Sequence, residues 1–330
     1  MHGTIGSSAD VNTAVQSLTV LVADVRAEAK DVITLELRAI AGGELPAFTP
    51  GAHLDVHLPN GLVRNYSLTN DWRERNRYVV GVGRAADSRG GSSYIHSSIR
   101  AGLQIKISAP RNNFPLNEDS ASFLFIAGGI GITPIMAMVR WCIANNKPWR
   151  LIYAARSRQR TAFYEELCAL GADRVHFHFD DEAGQVLDVA QAVSSWKEGE
   201  SVYCCGPALL MEAVKALTEN LPTGTVRFEW FSVPDSDEPQ EANSFTIRLE
   251  RSKVEFEVPE QKSILEVLEE HGFELPFSCR EGLCGTCVTS VCSGEPDHRD
   301  YVLSDEERAS GKMMTICCSR SKSSVLTLDL

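Results

Sequence analysis

Three cysteines in the string Ser278-Cys279-Arg280-Glu281-Gly282-Leu283-Cys284-Gly285-Thr286-Cys287 constrain this chain more than any other feature. Their spacing is C-x4-C-x2-C, and Cys317 follows after a long gap. Three thiolates on one short loop can wrap a metal core only if the backbone bends sharply and comes close to the sulfurs. Gly282 and Gly285, set between the cysteines, permit that path. The spacing is that of a [2Fe–2S] loop, in which four thiolates hold two irons and the centre carries one electron at a time. A zinc site is the alternative, but zinc commonly takes C-x2-C pairs, and only Cys284 and Cys287 offer one. Cys317 is preferred to its neighbour Cys318 as fourth ligand because its distance from Cys287 matches the pattern. Cys292 is off-pattern and reads as a small buried hydrophobe.

A chain of 330 residues exceeds one ordinary core and implies two or three domains. The segment Met1–Val15 is small and polar, with neither a basic nor an apolar signal-peptide region, and no apolar run approaches membrane-spanning length. A cytoplasmic protein is therefore expected, whose ten cysteines are reduced thiols rather than disulfides. The net charge of −12 argues against nucleic acid and suits a basic docking surface on another protein.

The region around the cysteines reads as a small α+β domain. Phe245–Leu249 and Val254–Val258 alternate apolar and polar about Arg251-Ser252-Lys253, a hairpin pattern. Ser263 and Glu266 form a capping box before Ile264, Leu265, Val267 and Leu268, and Gly272 closes that helix. After the cysteine loop come an acidic stretch at Asp305-Glu306-Glu307 and a last strand at 325–330. This order resembles the β-grasp of plant-type ferredoxins. The proline-flanked acidic segment 234–243 is read as a linker, with the ferredoxin domain over 244–330.

Upstream, Ser122–Ala127 is a short apolar strand that runs into Gly128-Gly129-Ile130-Gly131-Ile132-Thr133-Pro134 and an apolar-periodic helix from Ile135 to about Cys142. Thr133 is the expected N-cap and Pro134 the expected first helical residue. Glycines leading into a helix N-terminus cradle phosphate, although this loop lacks the G-x-G-x-x-G order and is by itself a weak sign. Strands expected at Trp149–Ala154 and Val175–Phe179, and one ending at Tyr203-Cys204-Cys205-Gly206-Pro207 before a helix at 208–219, give an open parallel sheet over 117–233.

Residues 17–116 are β-rich, with short strands separated by proline and glycine, as in a small antiparallel barrel; 1–16 is read as a tail. Arg64-Asn65-Tyr66-Ser67-Leu68 offers a cation, an aromatic face and a hydroxyl, or alternatively a plain sheet edge with a paired arginine. Arg89-Gly90-Gly91-Ser92-Ser93 is a glycine turn opening a helix, again suited to phosphate. The eight histidines show no metal-binding spacing; His53, His57, His176 and His178 alternate along strands.

The order R-x-Y-S, G-G-x-G-I-T-P, C-G-P and C-x4-C-x2-C…C resembles the phthalate dioxygenase reductase family over about residues 17–330. These are FMN-containing reductase components of Rieske oxygenases, vanillate demethylase reductases among them. The resemblance implies a flavin barrel, a nicotinamide domain related to ferredoxin reductases and a C-terminal ferredoxin. It implies that Arg64, Tyr66, Ser67 and Leu68 border the FMN and that Arg89, Gly90, Gly91 and Ser92 hold its phosphate. Gly128, Gly129, Gly131 and Thr133 would carry the pyrophosphate of NADH, with Gly206 and Pro207 nearby. Cys205 would stand beside the nicotinamide and Phe231 against the flavin, unless both are ordinary core residues. NADH gives two electrons together and the cluster takes one, so a flavin must lie between them. The expected acceptor is a terminal oxygenase with a small, aromatic substrate. An iron–sulfur carrier or redox sensor without nicotinamide chemistry, and a reductase for a non-Rieske monooxygenase, are the other readings.

Overall fold

The computed structural model describes residues 17–85, 90–233 and 243–330. The expected linker, except Asn243, and Arg89 lie outside these residues, as does the N-terminal tail.

Alternating apolar side chains fold the first third into six antiparallel strands: β1 Ser17–Ala29, β2 Val32–Ala39, β3 His53–His57, β4 Val63–Ser67, β5 Tyr78–Gly83 and β6 Gln104–Ser108. Their order is β4-β3-β6-β1-β2-β5. A bridge between Leu68 and Val80, with Thr69 N–H donating to Val79 O at 2.9 Å, ties the two outer strands and closes the barrel. Closure removes both open edges and buries Val20, Leu35, Leu54, Val80 and Ile107 completely.

The middle third is a parallel sheet of β7 Ser122–Gly128, β8 Trp149–Ala155, β9 Val175–Phe179, β10 Glu200–Cys205 and β11 Val226–Phe228. The order is β11-β10-β7-β8-β9. Helices cover both faces of such a sheet, so its central strands are apolar without alternation; Phe123 to Ala127 are fully buried. The chain builds outward from β7 in one direction and then returns to β10 on the other side. The crevice where ligands bind such sheets is therefore at the carboxyl ends of β7 and β10.

The last third pairs β12 Phe245–Leu249 with β13 Val254–Val258 as an antiparallel hairpin and, in parallel, with the late strand β18 Val325–Leu328. Strands β14 Val288–Ser293 and β16 Met313–Thr315 extend this sheet, and β15 Pro296–Asp297 pairs with β17 Arg320–Ser321. The helix Ile264–Glu270 buries Ile264, Leu265, Val267 and Leu268 on the sheet, and both hydrogen bonds of its Ser263/Glu266 capping box are formed. Among the described residues no helix is long and apolar enough to cross a membrane.

One local expectation is corrected, and one acidic stretch gains a structure. Thr133 is not an N-cap. A 3₁₀ turn at Gly129–Gly131 feeds straight into a helix that begins at Ile132, and the Thr133 hydroxyl donates to Ile130 O at 2.9 Å. The acidic stretch at 305–307 is helical: Asp305–Ser310 starts from a second capping box, Ser304 with Glu307.

Candidate redox site

Strand β4 carries the expected flavin contacts. Period-2 alternation puts Arg64 and Tyr66 on one face and Asn65 and Ser67 on the other. The helix Gly91–Ser98 starts directly over Arg64. Gly90 adopts left-handed φ of 86°, and a Cβ on Gly91 would stand 2.5 Å from Arg64 Nε and 2.7 Å from its Cγ. The Arg64 guanidinium and the N-terminus of this helix thus share one small space, a setting that suits a terminal phosphate. Burial pushes the Tyr66 phenol well above its usual range, against the opposing pull of Arg64, so the ring is a neutral, buried aromatic wall.

Opposite lies the crevice of the parallel sheet. The turn after β7 is pressed against the turn after β10. A Cβ on Gly131 would sit 2.7 Å from Gly206 N, and one on Gly128 would sit 2.6 Å from Pro207 Cδ. Gly131 has ordinary right-handed φ of −62°, so only the lack of space requires glycine there. Gly129, with φ of +53°, has nothing within 4 Å of a built Cβ and borders open space. The barrel touches this loop directly: a Cβ on Gly81 would meet Thr133 Cγ2 at 2.8 Å, and one on Gly83 would meet Ile130 Cβ at 3.3 Å. Strand β5 of the barrel and the loop after β7 therefore belong to one junction.

Cys205 ends β10 in full burial. Burial, then the neighbouring Glu229 and Cys204, raise its thiol well above the ordinary value, so it remains a neutral SH. Phe231 is 40% exposed, on the segment that leaves β11. Between them the structure brings in a residue that the sequence reading passed over. Burial pushes the Glu229 carboxyl up to about 8, and the adjacent Ser67 hydroxyl opposes this only in part. Neither Glu229 Oε2 nor Ser67 Oγ has a well-formed hydrogen bond among the described residues. A buried carboxyl oxygen with no well-formed hydrogen bond is costly unless the group keeps its proton or meets a ligand.

The cysteine loop is bent as its spacing requires. Arg280, Gly282 and Gly285 take left-handed φ of 59°, 73° and 69°. Glu281 N–H and Leu283 N–H donate to Cys279 Sγ at 3.4 Å each, and Cys279 N–H donates to Cys284 Sγ at 3.5 Å. The thiols of Cys279 and Cys284, Cys279 and Cys317, and Cys317 and Cys287 stand in mutual contact. Cys318 touches Cys317 but is tied to Thr315 Oγ1 at 3.2 Å and Ser319 Oγ at 4.0 Å. An all-thiol ring with backbone N–H groups turned onto its sulfurs fits a [2Fe–2S] core. Among the described residues no group of His, Cys, Asp or Glu is arranged to hold a single metal ion. Cys292 is exposed rather than buried, because it lies on the outward face of β14 near the chain end.

The same loop rests on the barrel. Asn113 Nδ2 donates to Cys284 O at 2.8 Å, and Asn65 Nδ2 donates to Ser278 Oγ at 3.4 Å and to Asp55. Tyr301 N–H donates to Gly282 O at 2.9 Å, while its ring lies 5.3 Å from that of Trp230. Asn65, Asn113, Trp230 and Tyr301 were not legible as site residues; each is unremarkable in its own segment and acquires a role only through contact across the fold. His53 is buried and held neutral, its imidazole lowered to about 4 by burial and by Arg111.

Comparison with known proteins agrees with this arrangement. Residues 125–216 match the oxidoreductase NAD-binding domain, and 247–322 match the 2Fe-2S iron–sulfur cluster binding domain. Phenoxybenzoate dioxygenase subunit beta of Ectopseudomonas oleovorans is 45% identical over 302 residues, covering 92% of this chain and 94% of the relative. A solved phthalate dioxygenase reductase, described as a modular structure for electron transfer from pyridine nucleotides to [2Fe-2S], is 42% identical. It superposes with a TM-score of 0.70 over 95% of this chain and 98% of its own. An intact type IV self-sufficient cytochrome P450 monooxygenase, 35% identical, superposes at 0.89 over 95% of this chain, which spans 41% of that larger protein. Barrel, crevice and thiol loop in this order, in a full-length relative with the same three parts, place the chain in the phthalate dioxygenase reductase family of oxidoreductases.

Proposed function

We propose that this chain takes electrons from NADH and delivers them singly, through FMN and a [2Fe–2S] cluster, to a terminal oxygenase component. The observation that carries this reading is the junction itself. The barrel lies against the nucleotide loop through Gly81 and Gly83 of β5, and against the thiol loop through Asn65 of β4. A bound flavin accepts two electrons with a hydride and releases them one at a time, which matches a nicotinamide donor to a one-electron centre.

The remaining work belongs to the protein. Arg64 and the Gly90–Gly91 turn hold the terminal phosphate, which favours FMN, and Tyr66 walls the ring system. Gly128, Gly129, Gly131 and Gly206 keep the crevice clear for the pyrophosphate and nicotinamide. Glu229 keeps a proton beside Ser67 and Cys205, where it orients the reacting rings without placing a charge among them. Phe231 closes the site at its exposed side. Cys279, Cys284, Cys287 and Cys317 ligate the cluster, and Asn113 fixes the backbone of Cys284. None of the ten cysteines is paired in a disulfide, which suits a cytoplasmic setting. The test is spectroscopic. The purified protein should show flavin and iron–sulfur absorption, yield FMN on extraction, and bleach in both bands on anaerobic NADH addition. A cluster without flavin, or no bleaching with either nicotinamide, would sink the proposal. A haem monooxygenase as acceptor is the second reading, favoured by the full-length match within a cytochrome P450 chain.

A further inference from the structure

The thiol loop is fixed to the barrel at two points, Asn113 on Cys284 O and Asn65 on Ser278 Oγ. Two attachments define an axis about which a loop can still rock, and a third, from another domain, removes that freedom. The third is aromatic. Tyr301 donates its N–H to Gly282 O at 2.9 Å, and its ring centroid lies 5.3 Å from that of Trp230 at an interplanar angle of 51°. Trp230 belongs to the segment that leaves β11 of the parallel sheet, so the thiol loop is tied to both of the other domains.

Both rings are mounted on fixed backbone. On the thiol side Asp300 is buried, and its Oδ2 accepts from Val302 N–H at 3.1 Å and Leu303 N–H at 2.8 Å, which closes the turn that carries Tyr301. That turn packs directly on the thiol loop. A Cβ on Gly282 would stand 2.9 Å from Asp300 Cα, and one on Gly285 would stand 3.4 Å from Val302 Cγ2. On the other side, Glu229 N–H donates to Cys204 O at 3.2 Å and pins the segment to β10. The Trp230 ring lies 6.3 Å from that of Phe228 and packs against the buried cluster that contains Leu124, Ile126 and Met211. Two adjacent residues of one segment therefore face the two ends of the electron path. The Glu229 carboxyl adjoins Ser67 of β4, which carries the proposed flavin contacts, and Trp230 adjoins Tyr301 of the thiol domain.

Resting on the electron-transfer reading above, we propose that Trp230 and Tyr301 are positioning residues for the flavin-to-cluster step, their ring contact holding the thiol loop at a fixed distance from the flavin. A tilted ring pair is directional as well as apolar. Electron transfer falls steeply with distance, so a small displacement of the loop appears as a change in rate. One electron passes from the reduced flavin to the oxidised cluster, and neither ring is oxidised or reduced in the step. The pair is a spacer, not a relay.

Stopped flow separates NADH-to-flavin transfer from flavin-to-cluster transfer. Tyr301→Ala and Trp230→Ala should each slow the second by roughly tenfold, as small misplacements of reacting groups do, and leave the first unchanged. The double variant should be no slower than either single one, because the two residues act as a unit. Tyr301→Phe keeps the ring and should keep the rate. In the oxidised protein, amide hydrogen exchange across 279–287 should be faster in both alanine variants and unchanged in Tyr301→Phe, with visible circular dichroism reporting that the cluster is intact. Should Tyr301→Ala lose its cluster, Trp230→Ala decides, because it leaves every residue of the thiol domain in place. Wild-type transfer and exchange in Trp230→Ala would overturn the mount. So would losses that multiply in the double variant, or a Tyr301→Phe protein as slow as Tyr301→Ala. A wild-type flavin that NADH cannot bleach would overturn the underlying function instead.

Discussion

The nucleotide crevice and the thiol loop both depend on glycine, for opposite physical reasons. At the crevice, Gly131 has ordinary backbone angles but no room for a Cβ, because the turn after β10 is packed against it. In the thiol loop, Gly282 and Gly285 are needed first for their left-handed angles, which aim backbone N–H groups and sulfurs inward. The first loop is emptied to admit a visitor that comes and goes with each turnover. The second is bent to hold a resident. A transient ligand calls for clearance, a permanent one for curvature, and the same residue type supplies both.

The largest effect should come from unseating the resident. Alanine at Cys279, Cys284, Cys287 or Cys317 removes one of four bonds to the proposed cluster and should abolish its visible absorption and cytochrome c reduction. NADH bleaching of the flavin should survive. An intact cluster in Cys317→Ala alongside a lost one in Cys318→Ala would show that the neighbouring thiol is the ligand. The next effect tests clearance. Gly131→Ala should cost roughly 3 kcal/mol of stability through overpacking, whereas Gly129→Ala, in open space, should cost only about 1 kcal/mol of left-handed strain. Both should raise the KM for NADH. Equal losses in denaturant melts would show that lack of space is not what requires glycine at 131.

A smaller effect concerns the proton at Glu229. Its folded value, about 8, exceeds the ordinary 4.5, so the folded state binds the extra proton between those values. Stability conferred by that proton is therefore full below about pH 4.5, declines as pH rises toward 8, and is flat above. Glu229→Gln should remove this slope from the Tm-against-pH profile; an identical profile in the variant would show that the carboxyl is ionised in the fold. The smallest effect should come from Asn113→Ala. Losing its bond to Cys284 O should cost about 1 kcal/mol and slow flavin-to-cluster transfer in stopped flow, with NADH-to-flavin transfer unchanged.

Much of the scaffold was legible because it is encoded locally. Alternation marked the hairpin of β12 and β13, a capping box marked the helix at Ile264, and the cysteine spacing marked the loop that draws four thiols together. The helix at Asp305 carries the same S-x-x-E sign but no apolar run behind it, and the sequence showed it only as an acidic stretch. Thr133 has the composition of a cap, yet the 3₁₀ turn before it moved the helix start upstream. Glu229 sits in the aromatic run Phe228-Glu229-Trp230-Phe231, where nothing in its sequence neighbours singles out the acid. Only the barrel, brought over it through Ser67, makes it buried. Trp230 and Tyr301 stand far apart in the chain, and no local period announces that they meet.

Strand β4 has a consequence for how this molecule can change over time. Its five residues turn Arg64 and Tyr66, the proposed flavin contacts, to one side and, on the other, Asn65 and Ser67 toward Ser278 and Glu229. Inserting or deleting one residue would exchange the two sides at once, moving the guanidinium of Arg64 toward the thiol loop and the amide of Asn65 toward the flavin. Substitutions in β4 can be sampled one at a time, but its length cannot drift. Loops elsewhere in the barrel are free to lengthen, while this strand is fixed as a ruler whose marks are read from both edges.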